Sequence, residues 1–119
     1  MKNAVIYLKK DYEDGFEEEE KNFKEDASKI PGIKVIDVYL EETSKDREKL
    51  YKKLYDKVNK GEVQIILTNN FAFLFFIERE NKLLADKINE SNIRVFVRTN
   101  LTFDDSENLA TIAAKENWL

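Results

Sequence analysis

Four short apolar runs, separated by long polar stretches with helical spacing, constrain the fold of this chain more than any other feature. The runs are residues 3–8 (NAVIYL), 33–40 (IKVIDVYL), 63–67 (VQIIL) and 92–98 (NIRVFVR). Each is rich in β-branched and aromatic residues and too short for a core helix, so each reads as a strand. The second shows alternation; the third is continuous enough to be buried on both faces. Between the first two, Phe16, Phe23, Ala27 and Ile30 recur at helical spacing until Pro31-Gly32 stops the pattern. Residues 44–60 form the clearest helix, with Leu50, Leu54 and Val58 on one face, Tyr51 and Tyr55 beside them, and Gly61 at the end. Residues 78–89 read as a further helix, with Leu84 and Ile88 facing inward. Asp104 and Glu107 have the spacing of a helix cap ahead of Leu109, Ile112 and Ala113.

Strands joined by helices of ten or more residues require crossover connections, and so a mainly parallel sheet with helices on its faces. Ligands of such sheets sit at the carboxyl ends of the strands, here residues 9–14, 41–45, 68–73 and 99–103. At 119 residues the chain suits one domain, residues 1–119, with no internal repeat or linker.

Composition excludes several chemistries. With no cysteine there is no disulfide framework and no thiolate. With no histidine, the commonest general base and metal ligand are missing, and neither a metal nor another cofactor is expected. No secretory core or long apolar run is present, so the expectation is a cytoplasmic protein without a membrane partner. The net charge of −4 conceals a polarity. Residues 11–27 hold nine acids against Lys21 and Lys24, while residues 45–60 hold seven bases against Asp46, Glu48 and Asp56. The basic stretch reads first as a solvated helix face; Lys45, Arg47, Lys49, Lys52 and Lys53 could in addition hold DNA phosphates weakly and without sequence preference.

Three site patterns fail. A calcium loop centred on Gly15 would put Lys10 first, Tyr12 third and Lys21 twelfth, none an oxygen ligand of the required kind. Three glycines, Gly15, Gly32 and Gly61, cannot build a phosphate-cradling loop. A phosphoacceptor receiver could take an acidic pair from Asp11 and Asp14, but the third strand runs into Thr68-Asn69-Asn70 rather than an Asp.

Tyr7–Asp11, Asp46–Leu50, residues 61–67 with 71–76, and Ala113–Glu116 form a set of colinear motifs, and together they resemble the catalytic domain of resolvase/invertase-type serine recombinases. That family opens with a strand ending Tyr-x-Arg-x-Ser; here the segment is Tyr7-Leu8-Lys9-Lys10-Asp11. Lys9 stands at the position of the phosphate-binding Arg and Asp11 at that of the nucleophilic Ser. The helix-opening Asp-Arg-x-x-Leu of the family is matched by Asp46-Arg47-Glu48-Lys49-Leu50, which keeps its Arg. Residues 61–67 (GEVQIIL) resemble the strand that enters the active-site loop Leu-Asp-Arg-Leu-x-Arg, a loop reading Phe71-Ala72-Phe73-Leu74-Phe75-Phe76 here. Asp becomes Ala72, and the two arginines become Phe73 and Phe76. Ala113-Ala114-Lys115-Glu116 resembles the start of the family's long helix. The loop before Ser44 is short and lacks the family's Ser-Gly, and Lys10 replaces an apolar residue.

The resemblance implies a single resolvase-like α/β domain, with four strands in the order 2-1-3-4; the family carries a DNA-binding domain after its long helix, and the expectation here is that none follows. It also implies that the reaction is lost. Asp11 brings a second negative charge to a phosphate, a repulsion of about 1 kcal/mol at roughly 4 Å in water and several in a drier site. Phe73 and Phe76 donate no hydrogen bonds, and loss of even one electrostatic contact of this kind typically costs about a hundredfold in rate. The expectation is therefore a pseudoenzyme with no working catalytic residue among Lys9, Asp11, Arg47, Ala72, Phe73, Phe76 and Glu116.

Phe71, Phe73, Phe75 and Phe76 crowd a segment that faces DNA in the family. Core packing accounts for about half of such a run, and exposed aromatics beyond that mark a protein interface. Two functions follow as expectations. One is an inactive recombinase-like module working through a homodimer or a related recombinase, modulating a recombinase of a mobile element. The other is a DNA-binding, strand-exchanging domain cut from a longer recombinase.

Overall fold

In the computed structural model the described residues are 1–10, 16–70, 72–99, 102–104 and 114–118. β1 (Lys2–Lys9), β2 (Ile33–Glu41), β3 (Ile65–Thr68) and β4 (Arg94–Thr99) form the parallel sheet in the order 2-1-3-4. A short β5 (Thr102–Asp104) adds to β4 antiparallel. Asp104 thus belongs to a strand; the helix expected after it falls on residues 105–113, outside the described ones.

Alternation along β1 feeds two cores. Val5 and Tyr7 face α2 (Arg47–Asn59), α3 (Phe73–Glu80) and α4 (Lys82–Glu90), packing with Tyr51, Leu54, Val58, Phe73, Ile77, Leu84 and Ile88. Ala4, Ile6 and Leu8 face α1 (Phe16–Ser28), meeting Phe23 and Ala27 together with Ile30 and Trp118. All four β3 residues are buried, as their unbroken apolar run demands.

β2 departs from strict alternation. Ala4 pairs with Val35, but Val5 pairs with Asp37, so Ile36 is an extra residue and the strand bulges there. Without the bulge, Tyr39 and Glu41 would share a face with Ile33 and Val35. With it, Val38 and Leu40 join Ile33 and Val35 against the α1 side, and Tyr39 turns to Tyr7, ring centroids 6.4 Å apart.

The helix read over residues 78–89 is two helices, and the segment aligned with the family's loop is largely helical from Phe73 onward. Asn81 divides them. Its extended backbone (φ −149°) breaks the spiral, its N–H donates to the Ile77 carbonyl at 2.8 Å, and its side-chain oxygen accepts from Leu84 N–H at 3.1 Å. Residues 44–46 form one 3-10 turn ahead of α2, with the Asp46 carboxylate accepting from the N–H groups of Glu42 and Thr43 at 3.1 and 3.0 Å.

Gly32 is required twice over. Its φ is +80°, a region L side chains rarely adopt, and a Cβ there would lie 2.8 Å from the Trp118 Cβ and 2.9 Å from its carbonyl carbon. Replacement Gly32→Ala should therefore destabilise the fold by about 2 kcal/mol or more, strain and displacement of Trp118 adding together. Urea unfolding followed by fluorescence checks this, because Trp118 is the sole tryptophan and is buried against Phe96.

Candidate functional site

The carboxyl edge of the sheet, on the side of α2 and α3, gathers two cations of the resemblance, Lys9 and Arg47. Lys9 ends β1, Arg47 opens α2, and Phe76 lies in α3. The Lys9 Nζ lies 4.7 Å from the centroid of the Phe76 ring, and the Arg47 guanidinium carbon lies 4.8 Å from it. One aromatic ring therefore engages both cations through its electron-rich face. Asn69, just past β3, holds Lys9 from behind. Its amide accepts from the Lys9 N–H at 2.8 Å and donates to the Lys9 carbonyl at 2.9 Å, extending the sheet by a side chain. The same amide donates to Glu19 of α1 at 2.7 Å.

Arg47 is spoken for. Its Nε donates to Glu41 Oε2 at 3.1 Å and its Nη1 to Glu80 Oε1 at 2.7 Å. Glu41 is buried, at 3% exposure, and its other oxygen accepts from the Tyr7 hydroxyl at 2.6 Å. Burial works against the charge on Arg47, but the hydrogen bonds and fields of Glu41 and then Glu80 outweigh it and hold its pKa above the ordinary value. Arg47 is thus outweighed by its two carboxylates, and counted with Lys9 the cluster is formally neutral, two cations against two acids.

The two tyrosine hydroxyls beside Glu41 are held in their protonated form. Burial, reinforced by Glu41, drives the Tyr7 pKa far above its usual value. Burial, followed by Glu41 and Glu80, pushes Tyr51 up to about 12. Beside Arg47 opens a cleft of about 420 Å³ lined by Ser44, Arg47, Glu48, Tyr51, Glu80 and Asn81. Its charged lining is one cation against two carboxylates, which suits a phosphate poorly.

The remaining positions separate. Asp11 and Phe71 lie outside the described residues. Ala72 precedes α3, its N–H donating to the Asn70 side chain at 3.0 Å. Phe73 belongs to the core, 1% exposed, with its ring 4.9 Å from that of Tyr7. Phe75 is 62% exposed and Leu74 48%, while Phe76 is half-buried beneath the two cations. Glu116 is at the opposite edge of the sheet, bonded to Arg94 Nη1 at 2.7 Å, and takes no part in the site. Lys45, Lys49, Lys52 and Lys53 are exposed, and 49, 52 and 53 share one face of α2; Arg47 points away from them to its two carboxylates.

Sequence reasoning missed Glu41, Glu80 and the exposed Leu83. Glu41 follows an apolar strand directly, a weak sign of a buried acid; Glu80 looks like any surface helix residue. Among the described residues no acidic cluster could hold a metal ion, and no helix is long and apolar enough to cross a membrane. Comparison of the chain with protein-family models, curated proteins and solved structures finds no match.

Two outcomes follow from the Glu41 network. Arg47→Ala leaves a buried carboxylate with Tyr7 alone and should cost about 2–4 kcal/mol of stability, whereas Lys52→Ala should change it by less than about 0.5. Chemical denaturation of the two variants checks the difference. The raised pKa values of Tyr7 and Tyr51 mean that the unfolded chain ionises these tyrosines first. Their contribution is intact below about pH 10 and is lost as pH rises toward and past 12, by up to about 1.4 kcal/mol per pH unit for each. Ultraviolet titration should show phenolate absorbance from these tyrosines appearing only together with alkaline unfolding.

Proposed function

We propose that this chain is a serine-recombinase-like domain that has lost strand cleavage and works by binding protein, with a related recombinase of a mobile element as the partner class the resemblance implies. The observation that carries the reading is the state of Arg47. Its guanidinium is shared between Glu41 and Glu80 and lies over Phe76, where the family carries an arginine. A scissile phosphate would meet two carboxylates already bonded to that guanidinium, at a point where Phe76 stands at one of the family's arginine positions. Phe73 cannot help, because its ring is in the core. The exposed Leu74 and Phe75 beside this spent site supply apolar surface for a protein partner.

The exposed lysines of α2 and of the turn before it support a second, weaker activity. Lys45, Lys49, Lys52 and Lys53 face solvent and would attract a polyanion without reading its sequence.

Incubation with supercoiled DNA is the direct test. No covalent protein–DNA adduct and no strand exchange should form, and Asp11→Ser should restore neither, since the cationic clamp is also gone. Any DNA retained at low salt should be released by about 200 mM salt. A covalent adduct would overturn the proposal.

A further inference from the structure

Large apolar side chains exposed among the described residues are Met1, Leu74, Phe75 and Leu83, and the last three lie on α3 and α4, which pack against each other. The charges exposed on these two helices are mainly acidic: Glu78, Glu80, Asp86 and Glu90 against Arg79 and Lys82, with Lys87 half-buried. Lys82 is already shared between Glu78, at 3.1 Å, and Asp86, at 3.6 Å. The cleft beside Arg47 opens where α3 gives way to α4, and α2 adds Glu48 to its lining. Glu48 is exposed and pairs with no cation among the described residues, while Glu80 uses only its Oε1 on Arg47. The cleft thus carries unused carboxylate oxygens, and the one cation of its lining, Arg47, is bonded to two acids.

We propose that this surface binds a basic segment of another protein, with an arginine side chain of the partner bonding Glu48 and Glu80 in the cleft and an apolar side chain seated on Phe75. Charge decides the class of occupant. The acid excess attracts a basic partner and repels nucleic acid, and two copies joined through this surface would set acid against acid. A guanidinium carries only donors, in a planar fork that carboxylate oxygens match. A metal ion fits less well, because no group of three acids able to hold one occurs among the described residues. The two anchor points are contiguous: the Phe75 ring packs edge-on against Phe76 at 6.0 Å, and the Phe76 ring lies 4.8 Å from the guanidinium carbon of Arg47, which lines the cleft. An exposed aromatic ring beside a pocket for an arginine is the pairing that dominates protein interfaces. This site rests on the reading that the chain works through protein association, and it supplies the chemistry of the partner.

The probe is a synthetic peptide rich in arginine and leucine, labelled and titrated with the full chain by fluorescence anisotropy. It should bind, and exchanging its arginines for glutamates or its leucines for serines should weaken binding at least tenfold. On the protein, Phe75→Ser should weaken it at least tenfold and Glu48→Gln at least fivefold, whereas Glu17→Gln, which removes an exposed acid of α1, should leave it unchanged. Equal losses from Glu48→Gln and Glu17→Gln would mark a general attraction between opposite charges and overturn the site, as would undiminished binding of the serine peptide. A dimer in sedimentation velocity that Phe75→Ser abolishes would give the surface to a second copy and overturn the proposal too. Should Phe75→Ser unfold the chain, the Glu48→Gln against Glu17→Gln comparison still decides the question. None of these failures touches the reading of a domain that binds another protein, which is lost only if a covalent DNA adduct forms.

Discussion

One extra residue in β2 sets the phase on which the site depends. The bulge at Ile36 shifts the second half of the strand by one position relative to β1. Tyr39 and Glu41 consequently face α2 rather than α1. Glu41 is thereby buried beside Tyr7, where a carboxylate is tolerated only if its charge is matched and its oxygens accept hydrogen bonds. Arg47, delivered by the Asp46-capped turn at the start of α2, meets that demand and then reaches Glu80 at the end of α3. Strand phase, buried acid, arginine and helix position form one chain of dependence.

That dependence explains why an arginine at a ligand-prone edge can be structural. Two of the five Arg47 donors are on carboxylates, whose two negative charges outweigh its single positive one, and its π face is taken by Phe76. Lys9 is held over the same ring. The site is polar in composition and close to neutral in charge. The acidic α1 is quieter than its sequence in the same way: Glu20 bonds Lys24 at 2.9 Å, Asp26 bonds Arg98 at 2.6 Å, and Glu19 accepts from Asn69. Part of the charge that would dominate a list of residues is spent within the fold.

The aromatic segment shows how one run of similar residues divides between tasks. Helical geometry sends Phe73 and Ile77, four residues apart, into the core, leaves Leu74 and Phe75 in solvent, and sets Phe76 at the rim under two cations. Composition places all of them together as apolar. Their separate roles come from the 100° step between successive helical residues and from what each direction happens to meet.

The strand–helix alternation, the two-sided burial of β3 and the stops at Pro31-Gly32 and Gly61 were legible in the sequence. Each follows from local rules: side-chain period, β-branching, and backbone conformations that favour glycine. The order of the four parallel strands was also legible, through colinear motifs rather than periodicity. The bulge at Ile36, the break at Asn81 and the pairing of β5 with β4 were not, because each depends on which partner a segment meets. The candidate site divides along the same line. Lys9, Arg47 and Phe76 could be picked out one by one, and their convergence on a single ring needed the crossover connections to bring residues 9, 47 and 76 to one edge. Glu41 and Glu80 decide the electrostatics there, and only the tertiary structure reveals them, because the cost of a buried charge depends on distances between residues far apart in the chain.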